Sequence, residues 1–329
     1  MPDFLLSCDW GTSSFRLRLV DAYDNRVVGE VLSDKGASCM YNVWQAGNIP
    51  EVTSIEKFYF KELQKSIHVL ENQSSFDLRG IPVIISGMAS SVIGIREVPY
   101  ASLPFALDGS EARVEYIPPS NGFPYKIYLI SGVSSSADVM RGEETQIVGL
   151  ASIYKDIYEA EDTVCILPGT HSKHIRLHKK TITDFRTYIT GELFNVMAHH
   201  SMLKDAVSDK ESSAALNESQ MNSFCRGING AKRSNLLHTL FTVRINQLFK
   251  LLEKEENLYY LSGLLIGTEL SEVSENIGGR IVLCSGSNVY DLYKLAIQGM
   301  DMQSRTELVG AEIMDKVVIQ GHIAILKHQ

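Results

Sequence analysis

The chain has no excess of positive charge: 31 Lys and Arg stand against 39 Asp and Glu, a net charge of −8. That balance argues against non-specific binding to nucleic acid or to an anionic membrane, while leaving room for a local donor cluster that holds an anionic substrate. Cysteine is scarce, with Cys8, Cys39, Cys165, Cys225 and Cys284 widely spaced and no C-x-x-C. An odd, scattered set excludes a disulfide framework or a structural zinc site and points to a reducing cytoplasm. No run approaches 18 apolar residues, and no basic segment precedes the short apolar stretch Phe4–Cys8, so neither a transmembrane helix nor a secretory signal is expected. The H-E-x-x-H, G-x-S-x-G, G-x-x-x-x-G-K-[ST] and G-x-G-x-x-G patterns are all missing. Gly278-Gly279-Arg280 precedes a strand instead of following one, so it is not a dinucleotide loop.

What is present is ordinary globular material, 329 residues with 44% hydrophobic content, enough for two cores. Phe4–Asp9 and Phe15–Asp21 read as a β-hairpin about a Gly-Thr turn, with Arg26–Leu32 as a third strand. Ser54–Leu70 carries a helical stripe, and Ile81–Ile85 is a continuous apolar run typical of a buried parallel strand. Tyr125–Ser131 reads as a strand and Glu143–Tyr158 as helical. The pattern then restarts. Thr163–Leu167 ends in Pro168-Gly169-Thr170, and Ser172–His178 alternates. Gly11, Thr12, Ser14, Arg18 and Leu19 fall on Gly169, Thr170, Ser172, Arg176 and Leu177 at one fixed offset, which suggests two similarly built domains. Helices are expected over Thr190–Leu203, Ser234–Glu253, Leu261–Val273, Val289–Gly299 and Ala311–Lys327, with a strand at Arg280–Cys284 and a Ser-rich loop or weak surface helix over Asp205–Gln220. Strands mixed with helices throughout give an α/β class, divided near Ala151–Asp162 into lobes 1–155 and 156–329.

Six segments have the makings of chemistry. In Asp9-Trp10-Gly11-Thr12-Ser13-Ser14 with Arg16, a carboxylate at a strand end meets a tight turn. Such a turn can aim backbone N–H groups at phosphate, and Asp9 can hold Mg²⁺ or its waters. Pro168-Gly169-Thr170-His171-Ser172-Lys173 repeats the design with a cation added. Two such turns facing one another across a cleft would clamp phosphates. Ser285-Gly286-Ser287 follows a buried strand and opens a helix, a place where a nucleoside can lie close, and Leu261–Gly267 is a neighbouring wall or a close helix contact. Asp138-Val139-Met140-Arg141-Gly142-Glu143-Glu144 offers carboxylates able to take a proton from an attacking hydroxyl and an arginine for carboxylate or phosphate. Ser86–Ser91, with Met88, Ala89 and Ser90, reads as a substrate-facing loop, and Arg186–Glu192 as a further polar patch.

The order of an Asp-x-Gly-Thr hairpin, an acidic segment, a second Gly-Thr hairpin and a strand–Gly turn–helix resembles the sugar kinase, heat-shock chaperone and actin superfamily. More narrowly, Asp138–Gly149 and Pro168–Lys173, with Asp9–Arg18, Phe185–Phe194, Leu261–Leu270 and Ser285–Leu295, resemble the 2-keto-3-deoxygalactonate kinase family over nearly the whole chain. The resemblance implies two ribonuclease-H-like lobes, an actin-like ATPase fold with an interlobe cleft. It also implies transfer of the γ-phosphoryl of Mg·ATP to the terminal C6 hydroxyl of a 2-keto-3-deoxy sugar acid. Carried over residue by residue, Gly11–Ser14 and Gly169–Ser172 hold phosphates, helped by Lys173, and Asp9 anchors Mg²⁺. Glu143 is the first choice of base, with Asp138 and Glu144 as rivals, and Arg141 or Arg16 meets the substrate carboxylate or the transferring phosphoryl. After Gly87-Met88, members typically read Gly-Ser-Arg-Gln where this chain has Ala89-Ser90-Ser91-Val92, which bears on the sugar acid taken. A kinase of a neutral hexose or amino sugar and a non-enzymatic nucleotide switch are the alternatives. The expected partners are a small sugar acid and ATP, with no nucleic acid and no membrane, and a homodimer is compatible with this reading.

Overall fold

Phe4–Trp10 forms strand β1 because its apolar residues run nearly unbroken, which suits a strand buried on both faces. In the computed structural model, which describes residues 2–47, 54–74, 76–159, 161–209, 216–232, 235–276 and 279–329, the order continues as follows. β2 (Phe15–Asp21), β3 (Arg26–Ser33), α1 (Ala37–Gln45), α2 (Ile55–Ser74) and β4 (Val83–Gly87) lead to the short strands β5 (Ala101–Ser102) and β6 (Phe105–Ala106). β7 (Val114–Ile117), β8 (Ile127–Ile130), β9 (Val133–Ser134), β10 (Val139–Met140), α3 (Glu143–Ile153) and α4 (Lys155–Tyr158) follow. Then come β11 (Thr163–Leu167), β12 (Ser172–His178), β13 (Thr181–Tyr188), α5 (Thr190–Asn195), α6 (Glu218–Ala231), α7 (Leu236–Leu248) and α8 (Lys254–Asn276). β14 (Arg280–Cys284), α9 (Ser287–Gly299), β15 (Thr306–Val309) and α10 (Ala311–Leu326) complete it.

These elements make two units: Met1–Glu161 with Leu177–Phe185 and Glu312–Gln329, and Asp162–Arg176 with Arg186–Ala311. The division therefore falls at Glu161/Asp162 where 155/156 was expected, and the closing helix groups with the first unit, not with the second.

In the first unit the sheet order is β3-β2-β1-β4-β8-β7. β1, β2 and β3 are antiparallel neighbours, and β1, β4 and β8 run parallel. Tyr59, Leu63, Ile67 and Leu70 of α2 recur at helical spacing and close over Trp10, Leu17 and Leu19. α3 and α10 meet backbone to backbone, since a Cβ at Gly149 would lie 1.7 Å from the Val317 carbonyl oxygen and one at Gly321 2.1 Å from that of Thr145. Only glycine permits that approach.

In the other six-stranded sheet, whose parallel strands β11, β14 and β15 belong to the second unit, the order β15-β14-β11-β12-β13 is the same as β8-β4-β1-β2-β3. The repeat expected from the two Gly-Thr hairpins is thus a repeat of sheet topology, two ribonuclease-H-like α/β units. α6 and α8 cross closely, because Cβ atoms at Gly227 and Gly263 would fall 2.2 Å and 2.1 Å from the carbonyl oxygens of Tyr260 and Phe224. Their apolar faces share a core with Val164, Ile166, Ile281 and Leu283 of the sheet.

Two expectations change, and part of a third is not described. The helix beginning at Thr190 is six residues long and passes into a π-turn over Val196–His200. α6 was not anticipated; Asn217 and Gln220 form a reciprocal cap at its start. Of the Ser-rich segment, 210–215 lies outside the described residues. All five cysteines are free, and among the described residues no helix is long and apolar enough to cross a membrane.

Candidate functional site

The first turn sits between β1 and β2, with Asp9 directly opposite Arg16. The amides of Ala37 and Ser38 at the head of α1 donate to the carbonyls of Gly11 and Thr12 at 2.9 and 3.0 Å, which pins the turn and leaves the Thr12, Ser13 and Ser14 residues exposed. Burial raises the Asp9 carboxyl above its ordinary value, and Arg16 and Arg18 pull against it. Both arginines are already engaged: Arg16 pairs with Asp315 at 2.8 Å, and Arg18 with Glu30 at 2.6 Å.

Beside Asp9, β4 ends at Gly87, whose φ of 89° and close approach to the Trp10 carbonyl (2.6 Å from a Cβ position) demand glycine. Gly142, at φ 112°, opens α3 against Gly87, and a Cβ there would stand 3.4 Å from the Gly87 Cα. Asp9, Gly87 and the head of α3 therefore share one corner of the first unit. Two carboxylates occupy that helix start. Glu143 is half-buried and accepts from the Arg141 amide at 2.9 Å. Glu144 is 1% exposed and accepts from the Gly142 amide at 2.7 Å and from the Thr145 hydroxyl at 2.9 Å. Burial first, and the Glu143 charge second, push Glu144 up to about 7. Asp138 is tied into its own turn, accepting from the Val139 amide at 2.7 Å.

Arg141 is directed at its neighbours. Its Nη1 donates at 2.6 Å to both the carbonyl and the hydroxyl of Ser90, and the guanidinium lies 4.2 Å from the Tyr100 ring centroid. Its Nε is buried and unpartnered among the described residues. Ala89 and Ser90 are buried, so of the three expected sugar contacts only Met88 is half-exposed.

His322 of α10 escaped the sequence reading. It lies 2.8 Å from Ser7 Oγ and 3.0 Å from Ser86 Oγ, and Ser86 is the residue paired with Asp9. Burial alone pushes the imidazole down to about 3, so it works as a neutral bridge between β1 and β4.

In the second unit Gly169, Thr170 and His171 form an exposed tip, and His171 is 2.5 Å from Glu192. Lys173 is buried and donates to the Thr187 hydroxyl at 2.7 Å. Gly191 packs on the turn, since a Cβ there would meet the Gly169 carbonyl oxygen at 2.6 Å. Next to it opens a pocket of about 70 Å³ with Gly169, Thr190, Phe194, Leu265, Ile266 and Leu292 among its walls. Ser262 and Tyr293 also line it. Ser285 is buried and its hydroxyl turns to the Gly286 carbonyl, Gly286 caps α9, and Ser287 is the first residue of that helix. The pocket wall from α9 comes one turn later, at Val289, Leu292 and Tyr293.

A second residue that was missed is Glu269, within an apolar stretch of α8 and 1% exposed in its side chain. Oε1 accepts from Ser172 Oγ at 2.7 Å and faces His174 Nε2 at 2.9 Å. Oε2 accepts from Thr190 Oγ1 and, at 2.7 Å, from the Tyr293 hydroxyl. Burial would raise this carboxyl, but the hydrogen bonds and charge from His174, with those from Thr190 and Ser172, hold it below its ordinary value. A lone acid inside an apolar helical face was the available signal.

Comparison with known proteins identifies the family. The family model described as 2-keto-3-deoxy-galactonokinase matches residues 9–323. A 2-dehydro-3-deoxygalactonokinase of Escherichia coli strain K12 is 30% identical over 226 residues, covering 67% of this chain and 71% of that protein. A Rhizobium meliloti protein given the same name with the qualifier "probable" is 31% identical over 309 residues, covering 92% and 91%. A solved Sinorhizobium meliloti structure, described as a "putative" 2-dehydro-3-deoxygalactonokinase, superposes with a TM-score of 0.77 at 28% identity, covering 98% of this chain and 96% of that one. With the matched region running from Asp9 at the first turn to beyond His322 in the closing helix, the chain belongs to the 2-keto-3-deoxy-galactonokinase family.

Proposed function

We propose that the chain is an ATP-dependent carbohydrate kinase that transfers the γ-phosphoryl group to the C6 hydroxyl of 2-dehydro-3-deoxy-D-galactonate. The family match over residues 9–323 carries this reading. It is supported by the chemistry at the head of α3, where two carboxylates stand beside Asp9.

Phosphoryl transfer asks for positioning and charge neutralisation more than for covalent chemistry. In the first unit, Glu143 takes the proton of the attacking hydroxyl. It is half-buried and has the Arg141 amide to hold it, while Glu144 is enclosed behind it and Asp138 is spent on its own turn. Arg141 fixes the Ser90 turn and the Tyr100 ring, and its guanidinium supplies positive charge for the substrate carboxylate. The Gly11–Ser14 turn offers exposed hydroxyls and amides to phosphate oxygens. In the second unit, the exposed Gly169-Thr170-His171 tip does the same, while the buried Ser172 hydroxyl is held by Glu269, and the apolar pocket beside it takes the nucleoside.

The donor set fits Mg²⁺. Asp9 and the neighbouring hydroxyls of Thr12, Ser13 and Ser14 offer oxygen atoms, the donor type a hard divalent cation takes. Bound there, the ion would neutralise phosphate charge, and Asp9 would orient its waters.

A coupled assay of ADP release with a panel of 2-keto-3-deoxy sugar acids, neutral hexoses and amino sugars tests the reading. Turnover should require the carboxylate and be highest with 2-dehydro-3-deoxy-D-galactonate. Equal turnover with a neutral hexose, or ATP hydrolysis indifferent to any sugar, would overturn it.

A further inference from the structure

Glu269 lies beneath the second-unit turn, and its two oxygens serve two different structures. Oε1 is held by Ser172 and His174, the residues through which the turn enters β12. Oε2 is held by Thr190 and Tyr293, both walls of the neighbouring pocket. A carboxylate is planar and rigid, so a shift of the pocket wall is passed to the turn. An ionised carboxylate only accepts, so the three hydroxyls and the imidazole must all donate to it and their orientations are fixed. A second link runs alongside: Gly191 follows Thr190 and packs on the Gly169 carbonyl, and the Glu192 amide donates to the Thr170 carbonyl at 3.0 Å.

We propose that Glu269 is a positioning residue for the nucleotide, tying the Gly169–Ser172 turn to the pocket wall so that filling the pocket and gripping the phosphates reinforce each other. The inference rests on the reading that the pocket takes the nucleoside of ATP. Glu269 itself touches neither the phosphates nor the sugar acid. In Glu269→Gln one oxygen is replaced by an NH2 group that cannot accept, so the donors on one side lose their partner and turn and wall relax independently.

The test uses the full chain with the variants Glu269→Gln, Ser172→Ala and Tyr293→Phe, singly and combined. ADP affinity is measured by calorimetry without sugar acid, and KM is measured for each substrate. Glu269→Gln should weaken ADP binding and raise the KM for ATP by at least about tenfold, with the KM for sugar acid moving less than about twofold. Ser172→Ala and Tyr293→Phe should each weaken ADP binding, their effects should be less than additive, and neither should weaken it further once Glu269 is Gln. Unchanged ADP affinity in folded Glu269→Gln, strict additivity of the two hydroxyl deletions, or equal rises in both KM values would overturn the proposal. If Glu269→Gln does not fold, the Ser172→Ala and Tyr293→Phe cycle decides alone. ADP binding needs no sugar acid. Failure of the sugar-acid reading therefore shows as ADP binding without turnover, and failure of this inference as ADP binding indifferent to these variants.

Discussion

Glu144→Gln isolates the electrostatics at the head of α3. The carboxyl is 1% exposed and held by the Gly142 amide and the Thr145 hydroxyl, and its ordinary value of 4.5 rises to about 7, chiefly through burial and then through the charge of Glu143. Below the ordinary value both folded and unfolded chains carry the proton, and its contribution to stability is fully present. As pH rises through about 7, the folded protein gives up a proton the unfolded chain released earlier, and that contribution is lost. At about 1.36 kcal/mol per pH unit the loss is roughly 3 kcal/mol by pH 8. Glutamine has nearly the same shape, keeps an oxygen for the Gly142 amide and never ionises. The variant should therefore be more stable than wild type by roughly 2–3 kcal/mol at pH 8. That advantage should vanish near pH 4.5. Both tryptophans, Trp10 and Trp44, belong to the first unit, so urea unfolding followed by fluorescence reads the relevant part of the molecule. A wild-type-minus-variant difference that does not change between pH 4.5 and 8 would refute the reasoning.

Glu143→Gln should lower kcat by at least about 10²-fold in the ADP-release assay, as removal of a general base does; unchanged turnover assigns the role elsewhere. Gly191→Ala should raise the KM for ATP by about tenfold or more, because its Cβ would drive the Gly169 carbonyl out of place from 2.6 Å, while the KM for sugar acid stays put. A rise in the sugar-acid KM alone would contradict that placement. For His322 the sign is opposite to that of Glu144: its imidazole is pushed down to about 3, so its contribution is present above the ordinary value near 6.5 and is lost as the solution is acidified. His322→Asn should flatten the acid limb of the first unit's stability profile between about pH 6.5 and 4, and a profile as steep as wild type would count against the neutral bridge.

The strands nearest the turns were legible because each is a short apolar or alternating run ended by Gly and Thr, and β2 and β12 fall where alternation put them. The paired halves were legible for the same reason, since a repeated turn implies a repeated sheet. What escaped depends on distant partners. α6 has few apolar residues and is stabilised by its close glycine crossing with α8, which no local window reveals. His322 and Glu269 look like stray polar residues in apolar helices. Their meaning comes from Ser7 and Ser86 in one case and from Ser172, Thr190 and Tyr293 in the other. The attachment of Arg141 to Ser90 and Tyr100 likewise needed the folded loop to be seen.

The closing helix carries a consequence for biosynthesis. α10 supplies the first unit with the Val317 backbone against which Gly149 rests and with the imidazole that ties β1 to β4. A ribosome makes those residues only after every residue of the second unit, which ends at Ala311, has been translated. The amino-terminal half of the polypeptide must therefore wait, partly assembled and with an uncovered apolar flank, while the later half emerges. In a cell that interval is when chaperones would be needed, and the corner around Asp9 matures last although Asp9 is among the first residues to be made.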